Sequence, residues 1–265
     1  RSNPQHLSRI IAANNILNAL LMVLSAATAI VLVGVLELTI PQFFLILALA
    51  NVVVACFIYT LVPEFVIRLI IWLLTRTLYR VKLKGLEQIP DDGPCVLVCN
   101  HVSYVDALLL AGAIRRPVRF VMFKPIYDLP VLNYIFRTGK TIPIDSKSRN
   151  PEIYARAFER VKEELDGGEV VCIFPEGKLT GDGEIDEFKN GIEKIIAANP
   201  VPVIPMALQG LWGSVFSHKD GKALTKPPRR FWSRVSLVVG APVPAEQVSA
   251  ADLRERVQAL RGDAA

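Results

Sequence analysis

The chain has 265 residues, 52% of them hydrophobic, a mean hydropathy of +0.38 and a net charge of +5. This apolar share stands above the roughly 45–50% of ordinary soluble domains, which excludes a disordered or collagen-like chain. Four cysteines in apolar runs without a C-x-x-C, and three scattered histidines, exclude a disulfide scaffold and a metal site of familiar spacing, and point to a reducing compartment.

The apolar excess lies at the front. Residues 16–36 and 40–62 carry no charge and are each long enough to cross a hydrocarbon core of roughly 30 Å as a helix. Three residues, Glu37, Leu38 and Thr39, separate them, so the two runs predict a transmembrane hairpin, with Pro41 in the first turn of the second helix. Arg1 and Arg9 precede the hairpin, and Arg68, Arg76, Arg80, Lys82 and Lys84 follow it, which places both ends in the cytoplasm. Asn14, Asn15, Asn18 and Asn51 suit helix–helix hydrogen bonds within the apolar segments. A chain beginning Arg1-Ser2 reads as part of a longer protein. Residues 64–79 have a helical pattern with Trp72 and Tyr79 suited to the headgroup region, which predicts an amphipathic helix on the cytoplasmic surface rather than a third crossing.

From residue 81 onward, short apolar runs alternate with helical patterns. Strands are predicted at 81–84, 95–99, 118–123, 141–144, 170–174, 203–208 and 235–239. Helices are predicted at 106–114, 131–136, 151–165, 191–198 and 250–260. The expected architecture is α/β, a mixed and mostly buried sheet flanked by helices, behind an N-terminal transmembrane hairpin. The corresponding divisions are 1–63, 64–80 and 81–265.

Two stretches carry chemistry. The first is Asn100-His101-Val102-Ser103-Tyr104-Val105-Asp106, between the buried run CVLVC and a helix. His101 falls in the strand-to-helix turn, and Asp106, in the helix, can reach back to the imidazole. A histidine oriented by a carboxylate is a general base toward a hydroxyl. The competing reading is a capping pair, with Ser103 as N-cap and Asp106 three residues on. The second stretch is Phe174-Pro175-Glu176-Gly177-Lys178-Leu179-Thr180, an acid, a glycine and a cation at a strand end, where α/β sheets commonly hold ligands.

N-H-x-S-x-x-D at 100–106 and F-P-E-G at 174–177 resemble, in order and spacing, the glycerolipid acyltransferases typified by lysophosphatidic acid acyltransferase. The blocks KLKGLEQIP at 82–90 and VPVIP at 201–205 extend the resemblance over about 79–241. The resemblance implies transfer of a fatty acyl group from a thioester to a glycerol hydroxyl of a lysophospholipid, with His101 and Asp106 catalytic. It places Asn100, Ser103, Phe123, Lys124, Phe174, Pro175, Glu176 and Gly177 at the substrates. The G-x-S-x-G nucleophile elbow is absent, so Ser103 reads as a cap or pocket-lining residue. No metal or cofactor is implied. The partners expected are membrane lipid, a lysophospholipid acceptor, and acyl-CoA or acyl-acyl carrier protein as donor.

Residues 7–33 also resemble the end of a major-facilitator transporter. Such a transporter fused upstream would make the chain similar to bacterial fusions that acylate 2-acylglycerophosphoethanolamine. Where many lysophosphatidic acid acyltransferases have arginine, this chain has Ser146, which also favours a lysophosphatidylethanolamine-type acceptor over 1-acylglycerol-3-phosphate. A thioesterase and a non-catalytic membrane-anchored piece of a lipid transporter are the readings from other classes. Residues 218–234, with six Lys and Arg against Asp220, offer a foothold for anionic lipid or an acidic carrier protein. No recognised binding module accompanies that charge, so nucleic acid is excluded as a partner.

Overall fold

The computed structural model describes residues 4–130, 132–219, 221 and 232–262. Two compact units result, Arg1–Val62 and Pro63–Ala265. In the first, helix α1 (Pro4–Ala29) widens into a π-helical segment, Ile30–Val35, and a short turn leads to α2 (Ile40–Leu61). Thr39 caps α2 through a reciprocal pair with Gln42, whose side chain accepts from the Thr39 amide at 2.9 Å. Segments Ser8–Val35 and Ile40–Leu61 are long and apolar enough to cross a membrane, and their apolar side chains are not covered by protein.

The second unit opens with α3 (Pro63–Leu78), which passes directly into β1 (Tyr79–Lys84). Tyr79, expected to close the helix, is instead the first strand residue and is buried. There follow β2 (Cys95–Cys99), α4 (Asp106–Ala113), β3 (Val118–Phe123), a single turn α5 (Lys124–Tyr127), α6 (Leu132–Thr138) and β4 (Ile142–Ile144). The chain then forms α7 (Pro151–Asp166), β5 (Val170–Ile173), α8 (Gly191–Ala198), β6 (Val203–Gln209), β7 (Ser233–Val239) and α9 (Ala250–Arg261).

Seven strands form one sheet in the order β1-β7-β6-β2-β5-β3-β4. Every pairing is parallel except β6 with β7, so the sheet is mixed, as its sequence pattern implies. At its centre β2 is buried on both faces, which explains an unbroken apolar run in place of alternation. Cys95, Leu97 and Cys99 point into a core shared with Leu109 and Leu110 of α4. Val96 and Val98 point the other way, into a core with Ala157 and Val161 of α7, Ile192 of α8 and Leu253 and Val257 of α9. The three core cysteines are free, and burial pushes the Cys95 thiol up to about 11 and the Cys99 and Cys172 thiols higher than usual, so they serve as inert packing.

Helix α3 packs against α4 through Ile67, Arg68, Ile71 and Thr75, while Phe65, Leu69, Trp72 and Leu73 remain exposed. Arg68 does not project outward. Its guanidinium donates to the carbonyls of Ile114 (3.0 Å) and Arg115 (2.7 Å) at the C-terminal end of α4, where a helix presents unpaired acceptors and partial negative charge. Within the 218–234 stretch, Lys222, Lys226, Arg229, Arg230 and Phe231 lie outside the described residues, as does Val131, the expected start of α6. Trp232 is described, and the Arg80 guanidinium lies 4.4 Å from its ring centre.

Candidate active site

The carboxyl ends of the parallel strands β6, β2, β5 and β3 lie side by side, which gathers the chemistry-bearing turns along one rim of the sheet. The β2 chain leaves the sheet through Asn100, whose side-chain amide donates to the Leu208 carbonyl (3.0 Å) and accepts from the Leu208 amide (2.8 Å). This buried amide imitates a further strand residue and fixes the exit direction of the next one, His101. Its donor and acceptor are thus used within the fold, and the side chain does not line the opening.

His101 Nδ1 lies 2.9 Å from Asp106 Oδ2. The same oxygen accepts from the backbone amides of Val102 (2.7 Å) and Ser103 (2.9 Å). Three donors converging on one carboxylate oxygen leave Nδ1 the hydrogen-bearing nitrogen, so the Nε2 lone pair is the basic one. Asp106 is fully buried, whereas the imidazole is 22% exposed. The dyad is therefore anchored inside and open at the reactive end.

The capping arrangement differs from the sequence expectation. Val105, not Ser103, is the residue before α4, and no side chain caps that helix. The Asp106 carboxylate folds back on the two amides preceding it, and a turn from the Asp106 amide to the Ser103 carbonyl (3.1 Å) starts the helix. A carboxylate outcompetes a hydroxyl as acceptor for backbone donors. Ser103 is fully buried, bridged to Ser217.

The segment after β5 holds the dyad from its other side. Phe174 stacks on the imidazole at 4.1 Å between ring centres and 19° between planes. Glu176 is buried, its Oε1 accepting from the His101 amide (2.7 Å) and its Oε2 from the Asp186 amide (3.0 Å). Thr180 donates its amide to the His101 carbonyl (3.0 Å). Thus both backbone groups of His101 are fixed by one loop. Thr180 closes the second stretch noted in the sequence, but its role is not legible there, because a backbone donor leaves no side-chain signature. Gly177 turns the loop at φ 71°, and a side chain there would meet Lys189. Pro175 is buried between Phe174 and Glu176.

Phe123 and Lys124, at the end of β3, are one strand beyond this loop. Lys124 is ion-paired with Asp128. Farther along the rim Arg149 lies 3.7 Å from Asp145 and 5.6 Å from the Phe123 ring centre, and Lys178 lies 3.1 Å from Asp186. Each of these three cations therefore has a carboxylate beside it. Among the described residues no group of histidine, cysteine and acidic side chains is placed to hold a metal ion.

Burial pushes the Glu176 carboxyl up to about 7, against the opposing pull of the two amide bonds. Its unfolded counterpart ionises near 4.5. Between those values the folded protein binds more protons than the unfolded chain, so stability falls as pH rises from about 4.5 to 7. We expect thermal midpoints measured across that window to decline, and Glu176→Gln to flatten the decline. An unchanged slope in the variant would assign the pH dependence to another group.

Comparison with known proteins agrees with this geometry. Residues 80–209 match the model of the acyltransferase family. A chloroplastic 1-acyl-sn-glycerol-3-phosphate acyltransferase of Brassica napus is 32% identical over 50% of this chain and 38% of its own length. The 1-acyl-sn-glycerol-3-phosphate acyltransferase of Bacillus subtilis is 25% identical over 68% of this chain and 82% of its own. Among solved structures, the 1-acyl-sn-glycerophosphate acyltransferase of Thermotoga maritima superposes with a TM-score of 0.54 at 26% identity, over 70% of each chain. The chain spans well under two thirds of the length of the plant relatives it matches.

Proposed function

We propose that this chain, whose residues 80–209 match the acyltransferase family, transfers a fatty acyl group from a thioester to the free glycerol hydroxyl of a lysophospholipid. The observation that carries the reading is the His101–Asp106 pair, buried at the carboxylate and open at the imidazole. Nε2 takes the hydroxyl proton as the oxygen attacks the thioester carbonyl. Collapse of the tetrahedral species breaks the carbon–sulfur bond, and the imidazolium returns the proton to the departing thiolate. Asp106 holds the ring and stabilises its charged form without taking the proton. No acyl-enzyme is required.

The exposed apolar face of α3 and the two apolar helices before it support work at a membrane, with the lipid acceptor drawn from its cytoplasmic leaflet.

For the acceptor we favour a phosphodiester head group of the lysophosphatidylethanolamine type. A phosphate monoester carries nearly two charges and calls for an uncommitted guanidinium fork. Here Ser146 occupies the position where many lysophosphatidic acid acyltransferases have arginine, and Lys124, Arg149 and Lys178 are each neutralised by a carboxylate. The curated relatives named for 1-acyl-sn-glycerol-3-phosphate favour the other acceptor. Measuring kcat/KM for both acceptors with one acyl donor separates them. We expect the lysophosphatidylethanolamine value to be larger, and a clear preference for lysophosphatidic acid would reverse the assignment.

A further inference from the structure

Beyond Lys124, between α5, α6, the edge strand β4 and α7, lies a cleft of about 640 Å³ that the dyad does not use. Its floor is apolar, from Ile142, Pro143, Ile153 and Ala157, and Tyr127 stands at one side. Five cations line it against two carboxylates. Two of those cations are committed, Lys124 to Asp128 and Arg160 to Glu163 and Glu164. Arg137, Lys140 and Arg156 have no ion-pair partner among the described residues. Lys140 is moreover held at φ 51°, a left-handed conformation uncommon for a residue with a side chain.

An apolar floor with an aromatic wall and three uncommitted cations suits a flat base carrying several phosphates, and the volume is that of a small-molecule site rather than of a protein docking face. The position agrees with this chemistry. Strand β4, which lines the cleft, is three places from β2 in the sheet, roughly 14 Å at ordinary strand spacing, so an extended arm from the cleft reaches His101. One wall, α7, packs on the sheet face opposite α4 and the α3 that covers it, away from the apolar surface offered to lipid.

We propose that this cleft holds the phosphorylated nucleotide end of a coenzyme A thioester, with its phosphates on Arg137, Lys140 and Arg156, so that the acyl donor enters from one side of the rim and the lipid acceptor from the other. The proposal rests on the acyl-transfer reading, but its primary test needs no turnover. The full chain in lipid nanodiscs would be titrated calorimetrically with coenzyme A and with adenosine 3′,5′-bisphosphate. Both are expected to bind wild type. Lys140→Ala and Arg156→Ala are each expected to weaken both about tenfold, the loss of one charge-assisted contact at an exposed site, with thermal midpoints unchanged. Arg256→Ala on α9, whose side chain pairs with Asp252 far from the cleft, serves as the control and is expected to bind like wild type. Wild type that binds neither nucleotide, or cleft variants that bind both as wild type does, overturns the proposal. In turnover, the cleft variants should raise KM for acyl-CoA and leave KM for the lysophospholipid unchanged. A rise confined to the lysophospholipid, or to an acyl carrier protein donor, would assign the cleft to that substrate and overturn it equally. Nucleotide binding without acyl transfer in wild type would reject the function proposed above and leave the cleft assignment standing.

Discussion

His101→Ala is expected to abolish acyl transfer, by a factor on the order of a thousand or more, while the protein stays folded. General-base catalysis contributes about 10²–10⁴-fold in enzymes that use it. Here the imidazole has the further task of returning the proton to the leaving group. The fold should tolerate the change because the side chain is partly exposed and its main partners act on the backbone. Glu176 and Thr180 hold the amide and carbonyl of residue 101, which alanine retains. The paired experiment is Asp106→Asn. An amide there can still accept through its oxygen, but its NH₂ adds a donor beside the Nδ1 hydrogen and the Val102 and Ser103 amides. The expected result is a loss of most activity through the wrong tautomer, together with measurable destabilisation that His101→Ala lacks. Both variants would be assayed with a radiolabelled acyl thioester and checked by circular dichroism. Normal turnover by folded His101→Ala would remove the base from the mechanism.

The contrast between these variants shows what a sequence can and cannot display. The H-x₄-D spacing, the strand before it and the helix after it are legible, because each is a local pattern of hydrophobicity and polar type. The bond from His101 to Asp106 follows from that spacing. Its direction did not, since a serine three residues before an acid also spells a helix cap, and only the folded backbone reveals that Asp106 serves the amides itself. Strand positions were legible for the same local reason, but their order was not. Nothing near Cys95–Cys99 announces that Val170–Ile173 and Val203–Gln209 flank it, and that arrangement is what brings Glu176 under the His101 amide. Arg68 shows the limit on surfaces. Counted with the charges that follow the hairpin, it proves to be a structural donor to the end of α4, because a neighbouring helix supplied acceptors that its own segment does not encode.

The other large effect concerns a residue absent from the motif blocks. Arg119, on β3, is 2% exposed and meets three carboxylates from three parts of the chain. They are Glu64 of α3 at 2.7 Å, Glu169 before β5 at 3.3 Å and Glu164 of α7 at 3.4 Å. One guanidinium thus ties the apolar-faced helix α3 to the sheet and to the helix on its opposite face. A buried pair adds little relative to an apolar replacement of both partners, but removing one partner strands the other, at a cost of about 3–5 kcal/mol. Glu164 is the group most affected, since its side chain is only 9% exposed and keeps only the 3.2 Å contact to the half-exposed Arg160, while Glu64 and Glu169 are each 32% exposed and regain water. Because Arg160 remains beside Glu164, we expect Arg119→Ala to lower stability by about 3 kcal/mol, on the order of 10 °C in Tm for a unit of this size. Adding Glu164→Gln should recover part of that loss, because it removes a buried charge left with Arg160 alone, without restoring the link to α3. If the cost instead came from the lost tether alone, the double variant would be no more stable than Arg119→Ala. Limited proteolysis gives an independent reading. In both variants α3 loses its anchor at Glu64 while keeping the Arg68 bonds to α4, so cleavage should move toward the start of α3 and leave its second half protected.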